Sequence, residues 1–287
     1  MGKGEVAIIG TGLMGRGIAH SFANNGYRVS MFGYSQGYKS RVIDYFKHEV
    51  IKKRITEYEM DQLLSRIRFL NMNGDLDKLY TADIVIEAVK EEKQLKKDIF
   101  KQIDKYAAKD CIIATNTSTY SITEIGAILK RPERFLGMHF ISPVQIMDVV
   151  ELVKGYRTSQ DTIDVARQIV ISINKVSYVV KDNPGFVINR LLVPMFNEAS
   201  MIISEGLVDS PEMLDELMKE AMNLKIGPLM LADLVGLDSI YYSIKSLYDN
   251  FHDSKYRPCL HLKKMVEAGY LGKKSGKGFY EYEDRED

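Results

Sequence analysis

Residues 6–17 read Val6-Ala7-Ile8-Ile9-Gly10-Thr11-Gly12-Leu13-Met14-Gly15-Arg16-Gly17, a short apolar run followed by glycines in GxGxxG spacing. Each glycine answers a separate demand. Gly10 permits a tight turn at the end of a buried strand, Gly12 lets backbone approach a pyrophosphate, and Gly15 lets the next helix pack on the sheet. That helix carries Ile18, Ala19, Phe22 and Ala23 on one face. Its first turn, with Leu13 and Met14, aims backbone amides and the helix dipole at phosphate. The apolar strand before the glycines and the helical pattern after them point to a dinucleotide site.

Working outward, Gly26 leads into a second apolar strand over residues 28–32. An acidic residue about 20 positions beyond the first glycine ordinarily clamps the adenosine ribose. Here that place falls at Gly33, in Gly33-Tyr34-Ser35-Gln36, and no carboxylate appears before Asp44. Gly33 therefore reads as an open position at the adenosine end, flanked by Tyr34 and Ser35. Without a carboxylate nothing repels a 2′-phosphate, Ser35 is placed to donate to it, and Lys39 or Arg41 to neutralise it. This favours NADP. The alternative keeps NAD, with Gln36 or backbone groups replacing the clamp.

The remaining chain is long enough for two domains: 287 residues, 45% hydrophobic. Its 39 basic and 39 acidic residues cancel, which argues against a general nucleic-acid or membrane surface. Cys111 and Cys259 lie far apart, in no metal-ligand or CxxC spacing, so buried thiols in a reducing compartment are expected. The opening apolar run is too short for a signal peptide or a membrane span. A soluble cytoplasmic protein is the expectation.

Residues 39–69 have apolar positions at mostly helical spacing and read as an inserted helical pair. Strands are expected at 82–87, 111–114, 134–140 and 148–153, with helices at 94–108, 121–129 and 162–173. This alternation is the pattern of a doubly wound α/β sheet, a Rossmann-like domain. It stops at Asp182-Asn183-Pro184-Gly185. Beyond it, helices are expected at 187–204, 211–223, 230–250 and 260–268, with one strand in the tail near 278–282. The reading is an α/β dinucleotide-binding domain over 1–184 and an all-α C-terminal domain over 185–287.

Ligands in open α/β sheets lie beyond the carboxyl ends of the strands. Asn116, Thr117 and Ser118 follow one expected strand, and His139 ends another. Glu151 follows His139 by twelve residues, so an antiparallel ribbon would set them side by side. A carboxylate beside an imidazole fixes its tautomer and supports its protonated form, as proton transfer coupled to hydride transfer requires. Asn189, one turn into the helical domain, is placed for a cleft between domains. Lys52-Lys53-Arg54 reads as a solvated face, or else as an anchor for an anionic substrate handle.

These blocks resemble the short, single-function 3-hydroxyacyl-CoA dehydrogenases. The likeness runs through residues 10–17, Val85-Ile86-Glu87-Ala88, Ala114-Thr115-Asn116-Thr117-Ser118, Gly137-Met138-His139-Phe140 and Val150-Glu151-Leu152-Val153. It continues through residues 184–190, Ile226-Gly227-Pro228-Leu229 and the tail over residues 272–280. The resemblance implies that His139 exchanges a proton with the C3 hydroxyl while Glu151 orients it. It implies that Ser118 and Asn189 bond the reacting oxygen or acyl chain, and that Glu91, Lys96, Asn116 and Ser142 lie near the cofactor. Hydride passes directly between C3 of a short (S)-3-hydroxyacyl-CoA and the nicotinamide, without a metal, in a homodimer joined through the helical domain. The chain departs from the pattern twice. Gly33 replaces the ribose-binding aspartate, and Ser142 replaces an asparagine in His139-Phe140-Ile141-Ser142-Pro143. Two other readings stay open: the same chemistry on carnitine or a carrier-protein-bound hydroxyacyl group, and a catalytically silent, crystallin-like dinucleotide binder.

Overall fold

The computed structural model describes residues 3–34 and 37–283. The chain forms two compact units, Met1–Asn183 and Pro184–Asp287.

The first unit is built on one sheet of β1 (Glu5–Ile9), β2 (Arg28–Gly33), β3 (Ile67–Asn71), β4 (Ile84–Glu87), β5 (Ile112–Thr115), β6 (Phe135–Phe140), β7 (Val149–Lys154) and β8 (Val176–Lys181). Their order across the sheet is β3-β2-β1-β4-β5-β6-β7-β8. All described pairings are parallel except β6 with β7. The chain runs outward from β1 to β3 and then resumes at β4 on the other side of β1. A ligand crevice is expected at that switch point, beyond the strand ends. The central strands are apolar and buried because helices cover both faces. Ile8, Val29, Met31, Ile84 and Ile86 pack with Ile18, Ala19 and Phe22 of α1 (Leu13–Asn24) in one core cluster.

The inserted helices are α2 (Tyr38–Ile51) and α3 (Glu57–Ser65). Thr56 and Glu59 form a reciprocal capping box that starts α3. The helical reading of residues 39–69 runs too far, because Ile67–Asn71 is strand β3. Ile67 and Phe69 fit either period, and pairing with β2 decides between them. The sequence pattern predicts no strand where β8 forms. It is an edge strand of half-exposed side chains with no clean apolar run. The remaining helices of the unit are α4 (Lys93–Tyr106), α5 (Ile122–Gly126) and α6 (Gln160–Ser172).

The second unit is helical: α7 (Ile188–Glu205), α8 (Pro211–Met222), α9 (Pro228–Val235), α10 (Leu237–Phe251) and α11 (Leu260–Glu267). Val193, Phe196, Leu237, Ile240, Ile244, Leu247 and Leu262 form its main core. The single helix expected over 230–250 is two, broken at Gly236, whose φ of 100° no ordinary helix residue adopts. The expected tail strand is also absent. Among the described residues of the tail only isolated bridges, Gly272 with Lys277 and Lys277 with Glu281, occur. No described helix is long and apolar enough to cross a membrane.

Candidate active site

The glycine turn forms as its spacing requires. Gly10 has φ 116°, and a Cβ there would strike the Ala88 carbonyl; one on Gly15 would strike the carbonyl of Gly10. Beside Gly12 there is open space to 4 Å. Helix α1 begins here with no side-chain cap and no acid in its first turn. Its first amides and dipole thus face a space that backbone alone defines, which fits a dinucleotide pyrophosphate. Leu13 is exposed and Met14 half-buried on this turn.

At the neighbouring strand ends, side chains stitch the loops together. Glu87 closes β4, fully buried, and takes hydrogen bonds from Val89 N at 2.7 Å and Thr115 Oγ1 at 2.6 Å. Lys96 of α4, 1% exposed, lies 2.8 Å from Glu87 and 3.1 Å from Glu91. Burial alone would lower the Lys96 ammonium, but the two carboxylates outweigh it and hold it above the usual lysine value. Glu91 in turn accepts from Ser118 N and Thr117 Oγ1, each at 2.8 Å. Asn116 Oδ1 accepts from Phe140 N at 2.9 Å, tying the same loop to the strand that carries His139.

His139 and Glu151 are register partners on β6 and β7. Side chains directly opposite on antiparallel strands share a face, and here Nδ1 of His139 lies 2.7 Å from Oε2 of Glu151. Both are buried, at 6% and 2% exposure. The arrangement is a dyad able to hold and move one proton.

Within the first unit, Glu91 follows β4, Asn116 and Ser118 follow β5, Lys96 lies on α4, and His139 and Glu151 lie on β6 and β7. Ser142 is exposed in the loop after β6. The buried Lys175 ammonium pins that loop through the Val144 and Met147 carbonyls, each at 2.7 Å. Lys52 and Lys53 are exposed just past the end of α2. Asn189 is half-buried in the first turn of α7, in the second unit. Ser35 and Gln36 lie outside the described residues. Tyr34 is exposed.

The expectation that Gly33 is open is wrong. The Tyr38 ring fills the space where a side chain at Gly33 would stand. Sequence reasoning also missed Glu87, Thr115 and Lys175 as supports. For Glu87 a signal existed, a carboxylate closing a buried strand, which requires a partner cation. Among the described residues, no group of three or more His, Cys, Asp or Glu is arranged to hold a metal ion.

Comparison with known proteins shows the family. Residues 5–183 match the 3-hydroxyacyl-CoA dehydrogenase NAD binding domain, and residues 185–282 match the C-terminal domain of the same enzymes. A probable 3-hydroxybutyryl-CoA dehydrogenase of Bacillus subtilis is 41% identical, over 98% of each chain. A 3-hydroxybutyryl-CoA dehydrogenase of Clostridioides difficile is 41% identical, over 97% of this chain and 99% of the relative. The crystal structure of (S)-3-hydroxybutyryl-CoA dehydrogenase from Ralstonia eutropha superposes with a TM-score of 0.88 at 42% identity, covering 98% of this chain and 99% of that one. With both domains matched and relatives aligned over nearly their whole length, the chain belongs to the 3-hydroxyacyl-CoA dehydrogenase family.

Proposed function

We propose that this enzyme catalyses reversible hydride transfer between a nicotinamide dinucleotide and C3 of a short-chain (S)-3-hydroxyacyl-CoA or its 3-oxoacyl-CoA. The observation that carries the reading is the buried His139–Glu151 pair, in a chain whose relatives bear that activity in their names. When bound, the dinucleotide supplies or accepts the hydride at its nicotinamide ring. His139 takes the C3 hydroxyl proton through Nε2 during oxidation and returns it during reduction. Glu151, bonded to Nδ1, holds the tautomer and stabilises the imidazolium. Ser118 and Asn189 bond the reacting oxygen or the acyl chain. Glu91 and Asn116 keep the loop bearing Ser118 in register with His139, while Gly10, Gly12 and Gly15 admit the pyrophosphate. Lys52 and Lys53 meet the phosphates of the carrier.

NADP is the proposed cofactor, in preference to NAD, because no carboxylate stands at Gly33 to repel a 2′-phosphate. The proposed assembly is a homodimer through the helical unit, supported by exposed Leu207, Leu217 and Leu260. Acetoacetyl-CoA assayed with NADH and with NADPH tests the reaction. Turnover with either is expected. Tight cofactor binding without turnover would leave the silent-binder reading instead.

A further inference from the structure

The inference concerns the tip of β2 and rests on the dinucleotide reading above. Gly33 is absent from the positive-φ glycines of the described chain, so its backbone conformation does not require glycine. Space requires it. A Cβ on Gly33 would lie 2.5, 2.6 and 2.8 Å from three ring carbons of Tyr38. Tyr38 opens α2 and cannot move aside cheaply. It is buried, its hydroxyl donates to the Leu70 carbonyl at 2.8 Å, and its ring packs on Phe69 with centroids 6.1 Å apart. The ring occupies the place where the Cβ of a ribose-clamping aspartate at position 33 would stand.

The same edge is positively charged. A Cβ on Gly37 would touch the Arg41 guanidinium at 3.4 Å, so that side chain folds back over the start of α2. Arg16, from the first turn of α1, donates to the Arg41 carbonyl at 3.1 Å. Arg16 thus braces the α2 backbone at Arg41, and burial together with the Arg41 charge pulls Arg16 below its usual value despite the opposing Tyr45. On the β3 side the nearby carboxylate, Asp75, accepts from Asn71 N at 2.7 Å.

We propose that Tyr38 and Arg41 set cofactor selectivity: the Tyr38 ring bars a carboxylate from position 33, and Arg41, backed by Arg16, takes the 2′-phosphate of NADP(H). The missing aspartate and the aromatic ring are then one device. Guanidinium–phosphate pairing is charge-assisted and geometrically selective, so it separates the two cofactors at the adenosine end without touching the hydride chemistry.

Calorimetric titration of the full chain with 2′,5′-ADP and with AMP tests this. The 2′-phosphorylated fragment should bind about tenfold tighter or more. Arg41→Met should bring it down to the AMP level and leave AMP binding as it was. Equal affinity in the wild type, or selectivity that survives Arg41→Met, overturns the phosphate site. Gly33→Ala tests the ring contact. It should lower the melting temperature in the wild-type background and not in Tyr38→Ala; an equal loss in both backgrounds overturns the role of Tyr38. Failure of both fragments and of intact NADH and NADPH to bind refutes the dinucleotide reading itself, a result distinct from a tie between fragments.

Discussion

His139 and Glu151 face each other across the one antiparallel pairing among the described strands, with 2.7 Å between Nδ1 and Oε2. Strand register delivers this contact, so the imidazole is oriented before any ligand arrives. His139→Gln should therefore lower kcat by about 10²- to 10⁴-fold, the usual scale of general acid–base catalysis, while cofactor titration is unchanged. Glu151→Gln keeps a hydrogen-bonding group but not its charge, and should cost less. Wild-type turnover in His139→Gln removes this residue from the mechanism.

The buried Lys96–Glu87 pair should behave differently, because it supports a loop. Lys96→Met strands the fully buried Glu87 carboxylate, and breaking one side of such a pair costs about 3–5 kcal/mol. Lys96→Met with Glu87→Leu removes both charges and should recover only part of that stability, because Val89 N and Thr115 Oγ1 lose their acceptor. Denaturant midpoints of the three proteins check this. A single variant as stable as the wild type would mean that Lys96 does not hold the site together.

In the helical unit a buried carboxylate organises the tail. Asp233 accepts from Phe279 N, Tyr280 N and Tyr282 Oη, each at 3.0 Å. Burial pushes its carboxyl above the usual value, and these hydrogen bonds oppose the shift. Asp215 similarly gathers Leu229 N, Met230 N and the Tyr280 hydroxyl, each at 2.8 Å. A Cβ on Gly278 would collide with the Asp233 carboxylate, so Gly278→Ala should cost about 1–3 kcal/mol through overpacking. It should also expose the tail to limited proteolysis. A variant with wild-type melting and cleavage would show that the tail has room to adjust.

The glycine turn, the dyad spacing and the α/β-to-helical change were legible because each depends on local pattern. The errors share a different cause. Ile67 and Phe69 suit helix and strand alike, and only β2 beside them selects the strand. Residues 278–282 have strand-like composition, yet Asp233, 46 positions from Phe279, holds them as a turn. At Gly33 the absence of a carboxylate was visible, but its occupant was not. Nothing in the string Gly33-Tyr34-Ser35-Gln36-Gly37-Tyr38 says that the last ring lies on the first residue.

A pH dependence follows from His20. It is 5% exposed, its Nδ1 is 3.2 Å from the Tyr45 hydroxyl, and its ring lies 5.1 Å from that of Phe46. Burial lowers its pKa below 6.5; Glu49 opposes the shift and Lys175 adds to it. In the unfolded chain His20 protonates near the ordinary value of about 6.5. Below that pH the unfolded state binds more protons than the folded one, so stability is fully present above it and is lost as pH falls through the folded value. Each pH unit in that window costs at most about 1.4 kcal/mol for one group. His20→Gln should narrow the difference in melting temperature between about pH 7.5 and about pH 5.5, the two sides of that titration. His261, also lowered by burial and by Lys264, lies in the other unit and should leave a residual slope. An undiminished difference in His20→Gln would place the acid sensitivity elsewhere.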